Sequence, residues 1–312
     1  MGHFIRSMTV IVVFIGMVFS ISYSQMRFSE DKQKGTLTVY EGSDPVLTYC
    51  YADQLKEGRD PKQIRSCYIH PLYSLDGTIL TDDFPSDHPH HHGVFWTWPV
   101  VGTKGQDTQT WHPDTPPLRQ HFNQWLEKKA DSAMAVLSVE NLWKLDDKQA
   151  VAKETLTLCV HLADQRGRAV DFELVIEAVG GELKLQGSPE QNKGYGGLCF
   201  RGAPAFQGAV MTTDQGELKQ DVTHQSFQWA DLSTEESGLT VFVSPEHPDF
   251  PPAWLIRNSY AGVLNVSWPG LDPVVLKPGE AVTLCYRIYI HRGDASAGGV
   301  NNAYQEYLLK CK

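Results

Sequence analysis

Residues 82–98 read DDFPSDHPHHHGVFWTW, a stretch that holds four of the chain's twelve histidines, three aspartates and two tryptophans. Pro85 and Pro89 lack the backbone N–H that a central strand needs, so the first half predicts an ordered loop. The second half, from residue 90 onward, is β-favouring and predicts a strand whose side chains alternate between two faces. One predicted face, with imidazoles at the mouth of a polar pocket and indoles deeper inside, consists of His90, His92, Val94, Trp96 and Trp98.

Strand signals recur on both sides of this stretch, from residues 36–40 to residues 281–291, and glycine- or proline-containing turns separate many of them. In the last of these segments, residues 281–291, the two-residue period places Val282, Leu284, Tyr286, Ile288 and Ile290 on one predicted face. Only the tail, residues 300–309, carries apolar side chains at helical spacing. No linker rich in proline, serine or glycine interrupts the series. The sequence therefore predicts one domain over 25–312, an all-β antiparallel sandwich with a short C-terminal helix.

An apolar run over residues 8–19, followed by the small residues Ser22 and Ser24, predicts a signal peptide over 1–24 that is cleaved before Gln25. The run is shorter than the roughly 20 residues that span a bilayer, so we expect no membrane association beyond the cleaved signal. The expected location is periplasmic or extracellular. Acidic residues exceed basic ones by 37 to 27, giving a formal net charge of −10, which disfavours nucleic acid as a partner.

The histidine cluster allows three interpretations. In the first, His90 and His91 are catalytic acid–base groups and Asp87 orients an imidazole. In the second, His90, His92 and Asp83 bind a divalent metal. In the third, the histidines and aspartates only hold the loop together. We expect no cofactor, and the second interpretation leaves a divalent metal open.

Candidates for substrate binding also lie outside this stretch. Residues 193–202 read KGYGGLCFRG, and such glycines let a backbone approach a ligand, with a β-bulge as the alternative. Tryptophans beside polar or proline-rich segments favour stacking on sugar rings, although a single tryptophan is more often a core residue. The predicted substrate-binding residues are His88, Lys193, Tyr195, Arg201, Trp229, His247, Trp254, Arg257 and His291, and Trp111 beside His112 is a further stacking candidate.

The segments 81–94, 193–198, 247–254 and 286–293, in this order, resemble the PmoA-like family of exported bacterial proteins of unknown function, often labelled methane oxygenase. His92 stands where that family carries an arginine. The resemblance implies a galactose-mutarotase-like supersandwich and a saccharide or glycan ligand. A membrane methane oxygenase is disfavoured because no spanning segment follows the signal.

The leading hypothesis from the sequence is an exported enzyme that acts on a saccharide by hydrolysis, elimination or epimerisation, with histidine and carboxylate groups transferring protons. One alternative is a metal-dependent oxygenase or hydrolase that uses His90 and His92. The other is a noncatalytic glycan-binding module, which the aromatic content favours.

Overall fold

The computed structural model describes residues 25–113, 117–259 and 262–310, so the signal peptide predicted over 1–24 lies outside the described residues. No helix within these ranges is long and apolar enough to cross a bilayer. Short 3₁₀ turns occur at Pro61–Gln63, Glu190–Asn192 and Pro204–Phe206. In chain order the strands are β1 (Met26–Asp31), β2 (Thr36–Glu41), β3 (Asp44–Cys50), β4 (Tyr68–Leu72), β5 (Val94–Thr97), β6 (Val100–Thr103), β7 (Gln106–Thr108), β8 (Leu118–Ala130), β9 (Met134–Leu145), β10 (Gln149–His161), β11 (Gly167–Ala178), β12 (Leu183–Gln186), β13 (Gly197–Arg201), β14 (Val210–Thr213), β15 (Gly216–Leu218), β16 (Val222–Ser226), β17 (Trp229–Ser233), β18 (Ser237–Val243), β19 (Ala253–Arg257), β20 (Val263–Ser267), β21 (Val274–Leu276) and β22 (Ala281–Arg292), and the helix is α1 (Val300–Lys310).

The described strands form two nine-stranded sheets and one four-stranded sheet. The first, called the histidine sheet below, has the order β1-β2-β3-β4-β5-β13-β20-β19-β16. The second, the back sheet, has the order β15-β14-β17-β18-β22-β11-β10-β9-β8, and the small sheet has the order β21-β12-β6-β7. The strand pairs are antiparallel, as in the long β10–β11 and β11–β22 ladders. The structure therefore confirms the predicted all-β antiparallel sandwich.

The main apolar core lies between the histidine sheet and the back sheet. Trp96 of β5 packs edge-on against Phe172 of β11 with ring centroids 5.2 Å apart, and Trp98 lies 5.3 Å from Trp143 of β9. Alternate residues of β22, from Leu284 onward, enter the same core, which confirms the two-residue period predicted for that strand. Burying each large apolar side chain of this kind stabilises the fold by about 1.5–3 kcal/mol.

The C-terminal helix covers the outer face of the back sheet. Val300, Tyr304 and Tyr307 are buried in one apolar cluster with Phe242 of β18 and Tyr289 of β22. These three helix residues share one side of α1, so the structure confirms the helical spacing predicted for residues 300–309.

The strand that follows the histidines begins later than the sequence predicts. β5 starts at Val94, because Gly93 adopts a left-handed conformation with φ of +44° and ends the loop there. Added to Gly93, a Cβ would approach a backbone carbonyl oxygen to 2.1 Å, so this position requires glycine. The predicted shared face of imidazoles and indoles is therefore wrong. Trp96 lies in the core between the sheets, and Phe95 packs on the opposite side in a smaller cluster with Trp111.

Candidate functional site

Backbone hydrogen bonds fix the histidine loop, residues 82–93, against the end of β13. The Arg201 N–H donates to the Gly93 carbonyl at 2.7 Å, and the Asp82 N–H donates to the Arg201 carbonyl at 3.1 Å. The Gly93 N–H closes the loop by donating to the Asp82 carbonyl at 2.7 Å. A loop tied at both ends to a sheet holds its side chains in a fixed geometry, which a binding or catalytic site needs.

The histidine loop forms one wall of a cavity of about 230 Å³, called the histidine cavity below. The turn after Glu190–Asn192 and the end of β19 supply other walls, so six predicted site residues from three distant segments meet here. The residues that line the cavity are His88, His90, His91, Trp111, His112, Glu190, Lys193, Tyr195, Leu255, Arg257 and Val263.

Four imidazoles of this region touch one another. The His88 and His91 rings are stacked, with centroids 4.9 Å apart and 14° between their planes. The His90 ring lies 4.6 Å from His91 and 4.0 Å from His112. Burial, together with the neighbouring imidazoles, lowers the pKa of His90 to about 2. Burial likewise holds the pKa of His91 well below its usual range and lowers that of His112, so these rings are neutral at physiological pH.

This burial makes the protein less stable in mild acid. An unfolded histidine has a pKa of about 6.5, whereas that of folded His90 is about 2. Below about pH 6.5 the unfolded chain therefore binds more protons than the folded chain, and the free energy of unfolding falls by up to about 1.4 kcal/mol per pH unit for each such histidine. We expect denaturant titrations to show this loss between about pH 6.5 and pH 5, above the range in which carboxylates titrate. His90→Asn should reduce the slope, and an unchanged slope in that variant would contradict the assignment.

Two charged residues fix the tautomers of the stacked pair. Nη2 of Arg201 donates to both carboxylate oxygens of Asp87, at 2.8 and 2.9 Å. Burial raises the pKa of Asp87, but hydrogen bonds from His88 and Arg201 lower it to about 2, so the carboxylate is ionised. Nδ1 of His88, 3.0 Å from Asp87, therefore carries a proton, and in the neutral form of this ring Nε2 is the acceptor. Nη1 of Arg201 donates to Nδ1 of His91 at 3.4 Å, so in His91 the proton is on Nε2.

His92 has a different environment from the other loop histidines. Its ring is buried, and its Nδ1 lies 2.8 Å from Oδ1 of Asp83, whose Oδ2 accepts a hydrogen bond from the Tyr68 hydroxyl at 3.0 Å. Burial lowers the pKa of His92, against the effect of Asp83. Within the described ranges, no three His, Cys, Asp or Glu side chains are grouped so that they could hold a metal ion. Asp83 and the buried His92 form a hydrogen-bonded pair within the loop.

Six of the predicted catalytic and substrate-binding residues do not line the histidine cavity. Two of these six, Asp87 and Arg201, contact its histidines, and the other four lie elsewhere. Trp229 belongs to the cluster under α1, and Trp254 lies in the main core with its Nε1–H donated to the Phe227 carbonyl at 2.8 Å. The buried ring of His247 contacts the hydroxyl of Tyr286 at 3.2 Å, and burial lowers its pKa to about 4. The fourth, His291, is fully buried with Asp231 at 2.8 Å. The strands that carry Trp229 and Trp254 are hydrogen-bonded to a neighbouring strand on each side, and both indole rings are buried. The sugar platforms predicted at Trp229 and Trp254 are therefore core residues.

Trp111 is the indole that does face the site. Its ring lies 4.7 Å from that of Tyr195 and 5.8 Å from that of His91, and it lines the histidine cavity. The sequence named Trp111 as a stacking candidate through its proximity to His112. The roles of Glu190 and His112 as lining residues had no signal in the sequence beyond their polarity.

A second cavity, of about 330 Å³, adjoins the first and is called the proline cavity below. Its residues come mainly from the segments 61–65, 110–113 and 117–119, of which the sequence analysis named Trp111 and His112. The described residues that line it are Pro61, Lys62, Gln63, Ile64, Arg65, His90, His92, Thr110, Trp111, His112, Pro113, Pro117, Leu118, Arg119 and Asp147. His90, Trp111 and His112 line both cavities, so the two are lobes of one cleft.

Three solved structures with a similar chain path are enzymes that act on carbohydrates. The galactose 1-epimerase of Lactobacillus acidophilus is 9% identical with a TM-score of 0.43, and the match covers 87% of this chain and 100% of that one. The galactosidase domain of an α-galactosidase–sucrose kinase is 12% identical with a TM-score of 0.44, over 87% of this chain and 42% of that one. A heparan sulfate lyase of Pedobacter heparinus is 7% identical with a TM-score of 0.38, over 87% of this chain and 36% of that one. This chain thus spans less than half of the latter two proteins.

No curated protein matches the sequence. A family match does exist, and it covers most of the chain, from β2 to the middle of α1. The matched family has no assigned function, and the family that the sequence motifs resemble was also one of unknown function. The PmoA-like label itself stays a prediction. Because the family model matches residues 36–305, the chain belongs to DUF6807, a family of unknown function.

Proposed function

We propose that the protein is an exported saccharide-acting enzyme that binds a uronate unit in the histidine cavity and removes a proton from it, leading to elimination. The observation that carries this proposal is the stacked pair of His88 and His91 with opposite tautomers. One ring offers an acceptor Nε2 and the other a donor Nε2–H.

A sugar fits the chemistry of the lining. A neutral imidazole offers one donor and one acceptor, which matches a sugar hydroxyl that donates and accepts at once. The rings of Trp111 and Tyr195 supply an apolar wall for the C–H face of a pyranose. Small-molecule sites generally combine such an apolar wall with a few polar groups that fix orientation.

The cations of the histidine cavity favour a carboxylate on that sugar. Arg257 donates to the backbone carbonyls of Val222 and Ile256 and to the Thr223 hydroxyl, and none of these three hydrogen bonds is to a carboxylate. Lys193 approaches Glu190 only to 3.4 Å. A carboxylate bound to such cations lets the adjacent carbon lose its proton more easily, since charge that develops in the transition state is neutralised.

One imidazole, that of His88, is enough to transfer the proton in the elimination. Nε2 of His88 takes the proton from the carbon next to the carboxylate, and the ionised Asp87 stabilises the imidazolium that forms. The electrons of the C–H bond form a C=C bond as the neighbouring C–O bond breaks. The imidazolium returns its proton to the leaving oxygen, while Nε2–H of His91 donates a hydrogen bond to it. The products are an unsaturated sugar and an alcohol.

Other reactions and roles fit less well. Hydrolysis by a carboxylate pair needs two carboxyl groups on either side of the glycosidic bond, and Glu190 is the one carboxylate among the described lining residues of the histidine cavity. Noncatalytic glycan binding is the second candidate, favoured by the pKa of about 2 for His90, which makes that ring a hydrogen-bonding group rather than a base.

Lys193→Ala is expected to weaken uronate binding about tenfold without loss of stability, because the side chain is partly exposed and its ion pair is long. Calorimetry with neutral and acidic oligosaccharides measures binding, and absorbance of the new C=C bond together with NMR of the products measures turnover. Lys219→Ala is the matched control, since that lysine is exposed and lines neither cavity.

The outcomes separate the candidates. An unsaturated product supports elimination. Solvent deuterium in an otherwise unchanged sugar indicates epimerisation, and a saturated product with a new reducing end indicates hydrolysis. Binding without any product supports the glycan-binding module. Absence of binding to every uronate in the panel would refute the proposed function.

A further inference from the structure

We propose that the proline cavity is a second subsite, which takes the neighbouring unit of the glycan and requires a negative charge on that unit as well. This inference rests on the proposed function and names the substrate more closely. The ligand would be an oligosaccharide with acidic groups on consecutive units, and not a monosaccharide or a chain with isolated charges.

Continuity of the two lobes is the first argument. His90, Trp111 and His112 line both cavities, and the His90 and His112 rings lie 4.0 Å apart. A sugar chain that occupies the histidine cavity therefore has its next unit beside the same three rings. The other walls of the proline cavity are apolar at Ile64, Leu118 and three prolines, which suits the C–H surface of a pyranose.

Charge is the second argument. Arg65 lines the proline cavity, and its guanidinium donates to the Thr110 carbonyl at 2.8 Å and to Oε1 of Gln120 at 2.7 Å. Its Nε is buried and has no hydrogen-bond partner among the residues that the structure describes. Burial lowers the pKa of Arg65 to about 10, so it stays charged at neutral pH. Glu154 balances this charge only from a distance, through the amide of Gln120.

The remaining ionic groups leave a surplus of positive charge. Arg119 and Asp147 form a double hydrogen bond at 2.8 and 2.5 Å and so neutralise each other. The exposed Lys62 stands at the rim of the proline cavity without a carboxylate among the described lining residues in contact with it. The cleft is thus cationic in a chain with a formal net charge of −10, and a local field of this sign concentrates anionic ligands.

The test compares three kinds of probe on the full mature chain. Trimers of galacturonate, mannuronate and guluronate carry a charge on every unit, a hyaluronan tetrasaccharide carries one on alternate units, and the monomeric uronates carry a single charge. We expect at least one homotrimer to bind more tightly than its monomer and than hyaluronan, with the gain reduced by added salt.

Lys62→Glu should weaken binding of that homotrimer about tenfold and change binding of the monomer less than about twofold. Because Lys62 is exposed, the variant is expected to fold, and Lys219→Glu controls for the change in net charge. Arg65→Gln is a second probe of the same lobe. Equal losses for monomer and trimer, or no loss for either in Lys62→Glu, would overturn the second subsite while leaving the proposed function intact. If no uronate binds the wild-type protein, both the second subsite and the proposed function are refuted.

Discussion

His88→Asn is expected to lower turnover of the uronate substrate by about 10²–10⁴-fold, the usual contribution of a positioned general base. In the structure Nδ1 of His88 donates to Asp87, which leaves Nε2 as the proton acceptor in the histidine cavity. Asparagine retains a polar side chain but offers no nitrogen base. The His88 side chain is 35% exposed, so its replacement should leave the melting temperature close to that of the wild type.

His161→Asn is the matched control for this variant. His161 lies on β10 and forms the same kind of imidazole–carboxylate contact, with Asp171 at 2.6 Å, and it lines neither the histidine cavity nor the proline cavity. We expect that variant to keep full turnover. Wild-type turnover in His88→Asn, at equal amounts of folded protein, would exclude His88 as the base and refute the elimination step proposed above.

Asp87 acts through His88 as a positioning residue, which a pH profile can show. With Asp87 ionised by its contacts to Arg201 and His88, the imidazolium that forms during proton transfer is stabilised. In Asp87→Asn the amide cannot supply that charge, and the His88 tautomer is no longer fixed. Turnover should therefore fall and its rise with pH should shift, while a purely structural role would change the amount of folded protein and leave the profile unmoved.

Local periodicity explains how much of the fold could be predicted. Alternation along β22 and the spacing of Val300, Tyr304 and Tyr307 depend on neighbours in sequence, and both were read correctly. The order of strands within each sheet depends on contacts between distant segments. The pairing of β5 with β13, and of β13 with β20, left no local mark.

The candidate site was predicted where unusual residue types cluster and missed where ordinary ones converge. The histidine loop, with Lys193 and Tyr195, stood out by composition, and the structure brings these residues together. Gly93 reversed the expected faces because a single left-handed residue breaks strand alternation. Arg65 could not be found, because its significance comes from burial beside a cavity, and burial is a property of the folded chain.

Glu154→Ala is expected to have the largest effect on stability. Glu154 lies on β10 in the core, fully buried, where its carboxylate accepts hydrogen bonds from the side chains of Gln120 at 2.9 Å, Asn141 at 2.7 Å and Trp143 at 2.7 Å. Removing it deprives the Trp143 indole N–H of its acceptor and the amides of Gln120 and Asn141 of one acceptor each, since these two also donate to the Trp96 carbonyl and the Tyr49 hydroxyl. Loss of one partner from such a buried ionic network typically costs about 3–5 kcal/mol.

Denaturant unfolding at neutral pH measures this loss, and Glu173→Ala on the neighbouring strand β11 is the control. Glu173 is exposed, so its removal should change the free energy of unfolding by no more than about 0.5 kcal/mol. Because Gln120 links Glu154 to Arg65, a Glu154→Ala protein that still folds should also bind uronate trimers less tightly. A variant as stable as the wild type would mean that the three donors find other acceptors, and the core network would then support neither the fold nor the proline cavity.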